Sequence, residues 1–209
     1  MAILDLNLYL VTNSDGLGEA EFLRIIERAC EGGVTLVQLR EKEKAGKEYF
    51  LLALKVKAIT DRFGVPLIIN DRVDVALASG ASGVHLGQSD LPVAAARDMA
   101  GPNKIIGASA KTVEQAITAE AAGADYLGVG AIFPTKTKVQ TQLTTVETLK
   151  EIIKAVKIPV VAIGGLNATN MSVLYTSGVN GIAVINAIFG NPDPRGAASE
   201  LRRLGKNLT

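Results

Sequence analysis

Eight short apolar runs alternate with eight amphipathic stretches along the chain, and this repetition limits the fold more than any other feature. The runs predict strands at about 7–11, 34–40, 66–70, 83–86, 104–108, 125–130, 158–163 and 180–185. The stretches between them predict helices at about 19–31, 46–63, 71–79, 92–99, 112–122, 145–156, 169–177 and 193–204. Runs such as 66–70 and 159–163 are apolar nearly throughout, which is typical of parallel strands covered by helices on both faces.

Glycine steps precede four of these strands and indicate a repeated unit. They lie at 32–34, 80–84, 123–125 and 178–181, where a left-handed cap ends one helix before the next strand begins. Their spacing of roughly 40 to 55 residues favours a recurring strand-helix unit. We therefore predict one α/β domain over residues 1–209, a (β/α)8 TIM barrel, with a doubly wound open sheet as the alternative.

The composition excludes several classes of protein. Apolar residues make up 48% of the chain, which is too many for a disordered protein. The 22 Lys and Arg residues balance 21 Asp and Glu residues without a basic run, so we expect no nucleic-acid partner. No apolar run approaches the roughly 20 residues of a membrane span, and no secretion signal precedes the first strand. A single cysteine, Cys30, suits a reducing compartment, so we expect a cytoplasmic protein without a membrane partner.

Polar side chains follow the predicted strands at their carboxyl ends, where barrels of this kind carry their active sites. Strand alternation places Gln38, Arg40 and Lys42 on one face of the second strand. Asp71 follows the third strand, and Asp90 follows the fourth. Two carboxylates near several cations suit Mg²⁺, which takes one or two protein carboxylates together with water and phosphate oxygens. The simpler alternatives are a solvated strand end for the cations and a helix cap for Asp71.

The remaining strand ends predict a phosphorylated ligand. Ser109 ends the fifth strand and can donate a hydrogen bond, but no base for a serine nucleophile is evident. His85 fits a core position as well as a site. Hydroxyl and ammonium groups at 134–138 predict a loop that holds an anion, with a solvated loop as the alternative. The glycines at 164–165 and the end of the eighth strand predict a phosphate site.

Seven motifs stand in order along the chain: QLREK at 38–42, INDR at 69–72, GVHLGQSD at 83–90, GASA at 107–110, GVG at 128–130, PTKTK at 134–138 and IGG at 163–165. From about Tyr9 to Ile188 the sequence resembles the thiamine phosphate synthases. This resemblance implies a transferase of thiamine biosynthesis that condenses hydroxymethylpyrimidine diphosphate with hydroxyethylthiazole phosphate. It also implies that Mg²⁺ is required and that members often associate into homo-oligomers.

The resemblance also implies a role for individual residues. Asp71 and Asp90 are expected to ligate Mg²⁺. The pyrimidine diphosphate is expected to be held by Gln38, Arg40, Lys42, Asn70, Ser109 and Lys138. The thiazole phosphate is expected at Thr135, Thr137, Gly165 and the main chain of Ile185 and Asn186. Glu41 and Lys136 lie inside the same motifs and are included among the substrate-binding residues. Arg40, Lys42, Ser109 and Lys138 are expected to stabilise the departing diphosphate and so to be catalytic.

Two positions depart from the family pattern. Asn186 stands where a serine is common, and Lys111 stands where a histidine is common. A related thiazole tautomerase is the alternative enzyme, and we expect it to carry that histidine and to lack the complete PTKTK motif. A barrel that binds phosphorylated thiamine precursors without catalysis is the second alternative, and it predicts the loss of metal or diphosphate ligands. Lys111 and the intact PTKTK motif disfavour the tautomerase, and the presence of residues 71, 90, 42 and 138 disfavours the binder.

Overall fold

Eight parallel strands close into a barrel in a computed structural model of the chain, which describes residues 4–134 and 143–208. The strands are β1 (Leu8–Val11), β2 (Leu36–Leu39), β3 (Leu67–Asn70), β4 (Gly83–Leu86), β5 (Ile105–Ala110), β6 (Tyr126–Gly130), β7 (Val160–Ile163) and β8 (Gly181–Val184). Each strand pairs with its neighbour in chain order, and β1 pairs with β8 to close the ring. The predicted (β/α)8 barrel is confirmed, and an open sheet is excluded.

Helices follow the strands and cover the outside of the barrel. They are α1 (Glu19–Glu31), α2 (Gly46–Arg62), α3 (Val73–Ala78), α4 (Val93–Ala100), α5 (Val113–Ala121), α6 (Val146–Ala155), α7 (Asn186–Phe189) and α8 (Pro194–Gly205). None of the helices in the described part of the chain is long and apolar enough to cross a membrane.

The helix predicted at 169–177 is wrong, because only a 3-10 turn, Met171–Leu174, forms there. Asparagine side chains bond to the main chain just before it. The Asn170 Oδ1 accepts from the Asn167 N–H at 2.9 Å, and the Asn167 Oδ1 accepts from the Thr169 N–H at 2.9 Å. Such local bonds compete with the helical ladder. The short α7, which directly follows β8, was not predicted.

Strand alternation divides the core into two layers. The larger layer lies between strands and helices and includes Leu8 and Leu10 of β1. The smaller layer fills the barrel interior and includes Tyr9 of β1 and Tyr126 of β6, both with side chains that are almost fully buried. The interior thus carries polar groups directly beneath the carboxyl ends of the strands, where the predicted site residues lie.

Candidate functional site

The carboxyl end of β2 presents an amide inside the barrel and two cations above it. Gln38 is 4% exposed and lies within β2, whereas Arg40 is half-buried and Lys42 is exposed just beyond the strand. The Arg40 main chain is fixed by its N–H, which donates to the Thr12 Oγ1 at 3.0 Å. Within the described ranges neither the Arg40 guanidinium nor the Lys42 ammonium forms a salt bridge. Both cations are therefore available to an anionic ligand at the mouth.

Asp71 and Asp90 come together after β3 and β4. The Asp90 carboxylate lies close enough to the Asp71 carboxyl group to interact with it, and the Asp90 Oδ2 accepts from the Gly87 N–H at 2.6 Å. Burial and then the neighbouring Asp90 raise the pKa of Asp71 to about 6, although the Lys42 charge opposes this shift. Asp71 is also the one non-glycine residue with a positive φ, +64°, in the described part of the chain. Backbone strain of this kind is concentrated at functional sites.

This carboxylate pair fits a hard divalent cation. Two carboxylates in contact repel each other when both are ionised, and a cation between them removes that cost. No group of three or more His, Cys, Asp or Glu side chains suited to a metal occurs within 4–134 and 143–208. Two protein carboxylates match the requirement of Mg²⁺, which completes its octahedron with water and phosphate oxygens.

Asn70, at the end of β3, is nearly buried and pairs in register with His85 of β4. Ser109, in β5, is half-buried at the base of the mouth. The expectation that no base lies near Ser109 is wrong, because the His85 Nε2 is 3.0 Å from its Oγ. Burial lowers the pKa of His85 to about 4, so this imidazole is neutral at pH 7. Side chains alternate between the two faces of a strand, and this alternation in the adjacent strands β4 and β5 is the sequence signal that could have predicted the contact.

Glu41 directs its carboxylate to the first loop. Its Oε2 accepts from the Ser14 hydroxyl at 2.8 Å and lies 3.8 Å from the Lys44 ammonium. The carboxylate is nearly buried, and burial raises its pKa. In this structure Glu41 therefore connects the end of β2 to the loop after β1, and its role in holding substrate stays a prediction.

Main-chain groups dominate the opposite side of the mouth. Gly164 and Gly165 follow β7 with φ of +103° and +65°, and a Cβ on Gly165 would lie 2.7 Å from the Phe133 Cβ. The Asn170 amide further fixes this loop by donating to the Gly165 carbonyl at 2.9 Å. Close approach of the main chain is what a phosphate-binding loop requires.

The end of β8 completes this side. Ile185 immediately precedes α7, and Asn186 is the exposed first residue of that helix. Thr135, Lys136, Thr137 and Lys138 lie outside the described residues, so their predicted roles are untested. The structure thus gathers the remaining predicted residues around one barrel mouth, with Glu41 turned aside.

Comparisons with known proteins agree with this arrangement. The thiamine monophosphate synthase family model matches residues 8–188. A thiamine-phosphate synthase of Clostridium tetani is 52% identical over 198 residues, 95% of each chain. Another, of Lacticaseibacillus paracasei, is 53% identical over 193 residues, 92% of this chain and 91% of that protein.

A solved structure extends the similarity to three dimensions. The thiamine phosphate pyrophosphorylase from Pyrococcus furiosus superposes with a TM-score of 0.90 at 40% identity, covering 98% of both chains. A 3-hexulose-6-phosphate synthase, at 18% identity and a TM-score of 0.70, shares the fold alone. With a family match that spans all eight strands and relatives above 50% identity, the chain belongs to the thiamine monophosphate synthase family.

Proposed function

We propose that this chain condenses hydroxymethylpyrimidine diphosphate with hydroxyethylthiazole phosphate and releases thiamine phosphate and diphosphate. The family membership supports this reaction. The observation that carries it is the mouth itself, with a carboxylate pair and two cations that form no salt bridge among the described residues on one side, and a glycine loop on the other. One side suits a diphosphate, and the other suits a second, singly phosphorylated substrate.

The reaction needs no nucleophile from the protein. The bond between the pyrimidine methylene carbon and the diphosphate oxygen breaks, and its electron pair leaves with the diphosphate. The electron-rich aminopyrimidine ring stabilises the resulting cation. The thiazole nitrogen then donates its lone pair to the methylene carbon and becomes the positively charged ring nitrogen of the product.

The chain accelerates this reaction by stabilising charge on the leaving group and by positioning the second substrate. Arg40 and Lys42 attract the diphosphate, and the Ser109 hydroxyl donates a hydrogen bond to it. Gln38 and Asn70, at the inner end of the mouth, orient the pyrimidine. Gly165 and the main chain at Ile185 and Asn186 hold the thiazole phosphate.

Asp71 and Asp90 would hold Mg²⁺ in this proposal. When bound, the ion neutralises charge on the diphosphate oxygens. The raised pKa of Asp71 supports the assignment, because burial and the neighbouring Asp90 carboxyl group both disfavour its ionised form and a bound cation would offset that cost.

We also propose that the protein acts in the cytoplasm. Its single cysteine, Cys30, is buried in α1, and burial raises the pKa of its thiol to about 12. A protein without a disulfide suits a reducing compartment. Association into homo-oligomers stays a prediction, which light scattering of the purified protein can test.

The test of the function is a reconstitution with both substrates and Mg²⁺, followed by separation of the products. We expect thiamine phosphate and diphosphate in equal amounts, with no product when the thiazole phosphate is omitted or EDTA is added. Binding of the pyrimidine diphosphate without product would instead indicate a non-catalytic binder. Conversion of a thiazole phosphate alone would indicate a tautomerase.

A further inference from the structure

A row of five hydrogen-bonded side chains crosses the barrel interior below the mouth. The Gln38 Nε2 lies 2.5 Å from the Tyr9 hydroxyl, which lies 2.7 Å from the Tyr126 hydroxyl. The Tyr126 hydroxyl is 3.0 Å from the His85 Nδ1, and the His85 Nε2 is 3.0 Å from the Ser109 Oγ. Tyr9, Tyr126 and His85 have no part in the proposed chemistry, although they occupy the centre of the barrel.

The available donors and acceptors determine which group donates in each hydrogen bond of this row. The amide nitrogen of Gln38 can only donate, so the Tyr9 oxygen accepts that hydrogen bond. The Tyr9 hydroxyl then donates its own hydrogen bond to the Tyr126 oxygen. The Tyr126 hydroxyl in turn donates a hydrogen bond to the His85 Nδ1. The reverse order would leave the buried Tyr9 proton without an acceptor among the described residues, which costs more than a satisfied bond gains.

The direction decides what Ser109 presents to the mouth. When the His85 Nδ1 accepts, the proton of the neutral imidazole is on Nε2 and is donated to the Ser109 Oγ. The Ser109 proton is then free for a group outside the row. In the reverse direction Ser109 would donate to His85 and turn its lone pairs toward an anionic leaving group, which would repel it.

We propose that Tyr9, Tyr126 and His85 are positioning residues that aim the Ser109 hydroxyl proton at the diphosphate. The proposal rests on the proposed function. It also assigns His85 the role of a donor to Ser109, so that His85 does not act as a base that would make Ser109 a nucleophile.

Glycines on the neighbouring strands make room for the row. A Cβ on Gly107 would lie 2.1 Å from the Tyr126 Cζ, and a Cβ on Gly128 would lie 3.2 Å from the His85 Cε1. The rings of Tyr9 and Tyr126 meet edge to face, with centroids 5.8 Å apart. The interior is therefore shaped around these rings, and their hydroxyl groups have one place to lie.

The tautomer of His85 tests the proposal directly. The chain has one histidine, so labelling with ¹⁵N-histidine gives the NMR signals of a single imidazole. In the substrate-free protein at neutral pH we expect a neutral ring with its proton on Nε2. A ring protonated on Nδ1, or a doubly protonated ring, would overturn the proposal.

Two variants relate the tautomer to turnover. Tyr126→Phe removes the donor to Nδ1, so we expect a mixture of tautomers and a kcat lowered about tenfold, with the KM of the pyrimidine diphosphate little changed. Tyr9→Phe leaves that donor in place and should have a smaller effect on both. Tyr49→Phe is the matched control, since its buried hydroxyl bonds to the Leu39 carbonyl outside the row, and it should leave the tautomer unchanged.

The outcomes separate this proposal from the proposed function. An inactive wild-type protein with the expected tautomer would refute the synthase activity and, with it, the role of the row. An active wild-type protein with the other tautomer would refute the row alone. A Tyr126→Phe variant with wild-type kcat and a mixed tautomer would also refute it. If Tyr126→Phe does not fold, the NMR spectrum of the wild type and the tautomer and kcat of Tyr9→Phe still test the proposal.

Discussion

The two sides of the barrel mouth are built from different parts of the chain. On the β2–β5 side, charged and polar side chains face the mouth, including the Asp71–Asp90 pair. On the β7–β8 side, the glycine loop after β7 and the start of α7 present mainly main-chain groups. A bond that breaks with separation of charge needs groups of fixed charge and direction, whereas a phosphate that is only held needs shape and N–H groups. Substitutions should therefore affect the rate on one side and binding on the other.

The largest effect on kcat is expected at Ser109, on the β2–β5 side of the mouth. Ser109→Ala removes one donor to the leaving group and should lower kcat about 10² to 10³-fold while leaving substrate binding largely intact. Steady-state kinetics with both substrates measure this. Ser199→Ala is the control, because the Ser199 hydroxyl bonds to the Gly32 carbonyl away from the mouth and its loss should not change kcat. Isolation of a covalent adduct on Ser109 would refute its role as a donor.

The carboxylate pair should control the requirement for Mg²⁺. Asp71→Asn and Asp90→Asn each weaken a hard oxygen ligand, so half-maximal turnover should need at least about tenfold more Mg²⁺. Asp74→Asn is the matched control, since this exposed carboxylate pairs with Arg72 at the surface, and its Mg²⁺ titration should match the wild type. Wild-type turnover of either site variant at limiting Mg²⁺ would contradict the metal assignment.

The role of the β7–β8 side in binding can be tested by adding one methyl group to its glycine loop. Gly165→Ala forces a left-handed alanine and a contact with Phe133, and should raise the KM of the thiazole phosphate about tenfold or more. Gly64→Ala is a close control, with a φ of +64° but open space around its Cβ. It should cost about 1 kcal/mol of stability without changing either KM. Equal KM values in the two variants, with both proteins folded by thermal unfolding, would show that the loop does not hold the phosphate.

The smallest effect is expected at Asn186, where the sequence departs from the family. Its exposed side chain adds at most one neutral hydrogen bond, worth roughly 0.5 to 1.5 kcal/mol. Asn186→Ser should therefore change the KM of the thiazole phosphate by less than about tenfold and leave kcat nearly unaltered. A larger change in either constant would show that Asn186 marks a different substrate.

The sequence predicts the barrel well because its signal is local. Runs such as 66–70 are apolar whichever strand they pair with, and the structure places β3 at Leu67–Asn70. The helix expected at 169–177 fails because the periodic pattern does not register side-chain bonds such as that between Asn167 and Asn170. The positions of the motifs likewise predict that the site residues lie together at the strand ends, but they do not show how each side chain is oriented.

The orientation of side chains depends on contacts between distant parts of the chain. Glu41 lies inside a predicted binding motif, yet its carboxylate bonds to Ser14 of another loop. The contact between His85 and Ser109 joins two strands and is visible only when their alternation is considered together. The row beneath Ser109 also includes Tyr9 and Tyr126, which are 117 positions apart in the sequence. Such contacts follow from the closure of the barrel, which no single motif contains.

The most direct test of the two-sided mouth is to measure kcat and both KM values for Ser109→Ala and Gly165→Ala in one thiamine phosphate assay. We expect different outcomes for the two variants. Ser109→Ala should lose kcat with the KM of the thiazole phosphate unchanged, and Gly165→Ala should raise that KM with a much smaller loss of kcat. If both variants lose kcat to the same extent and neither changes that KM, the two sides of the mouth do not have separate roles in catalysis and in binding.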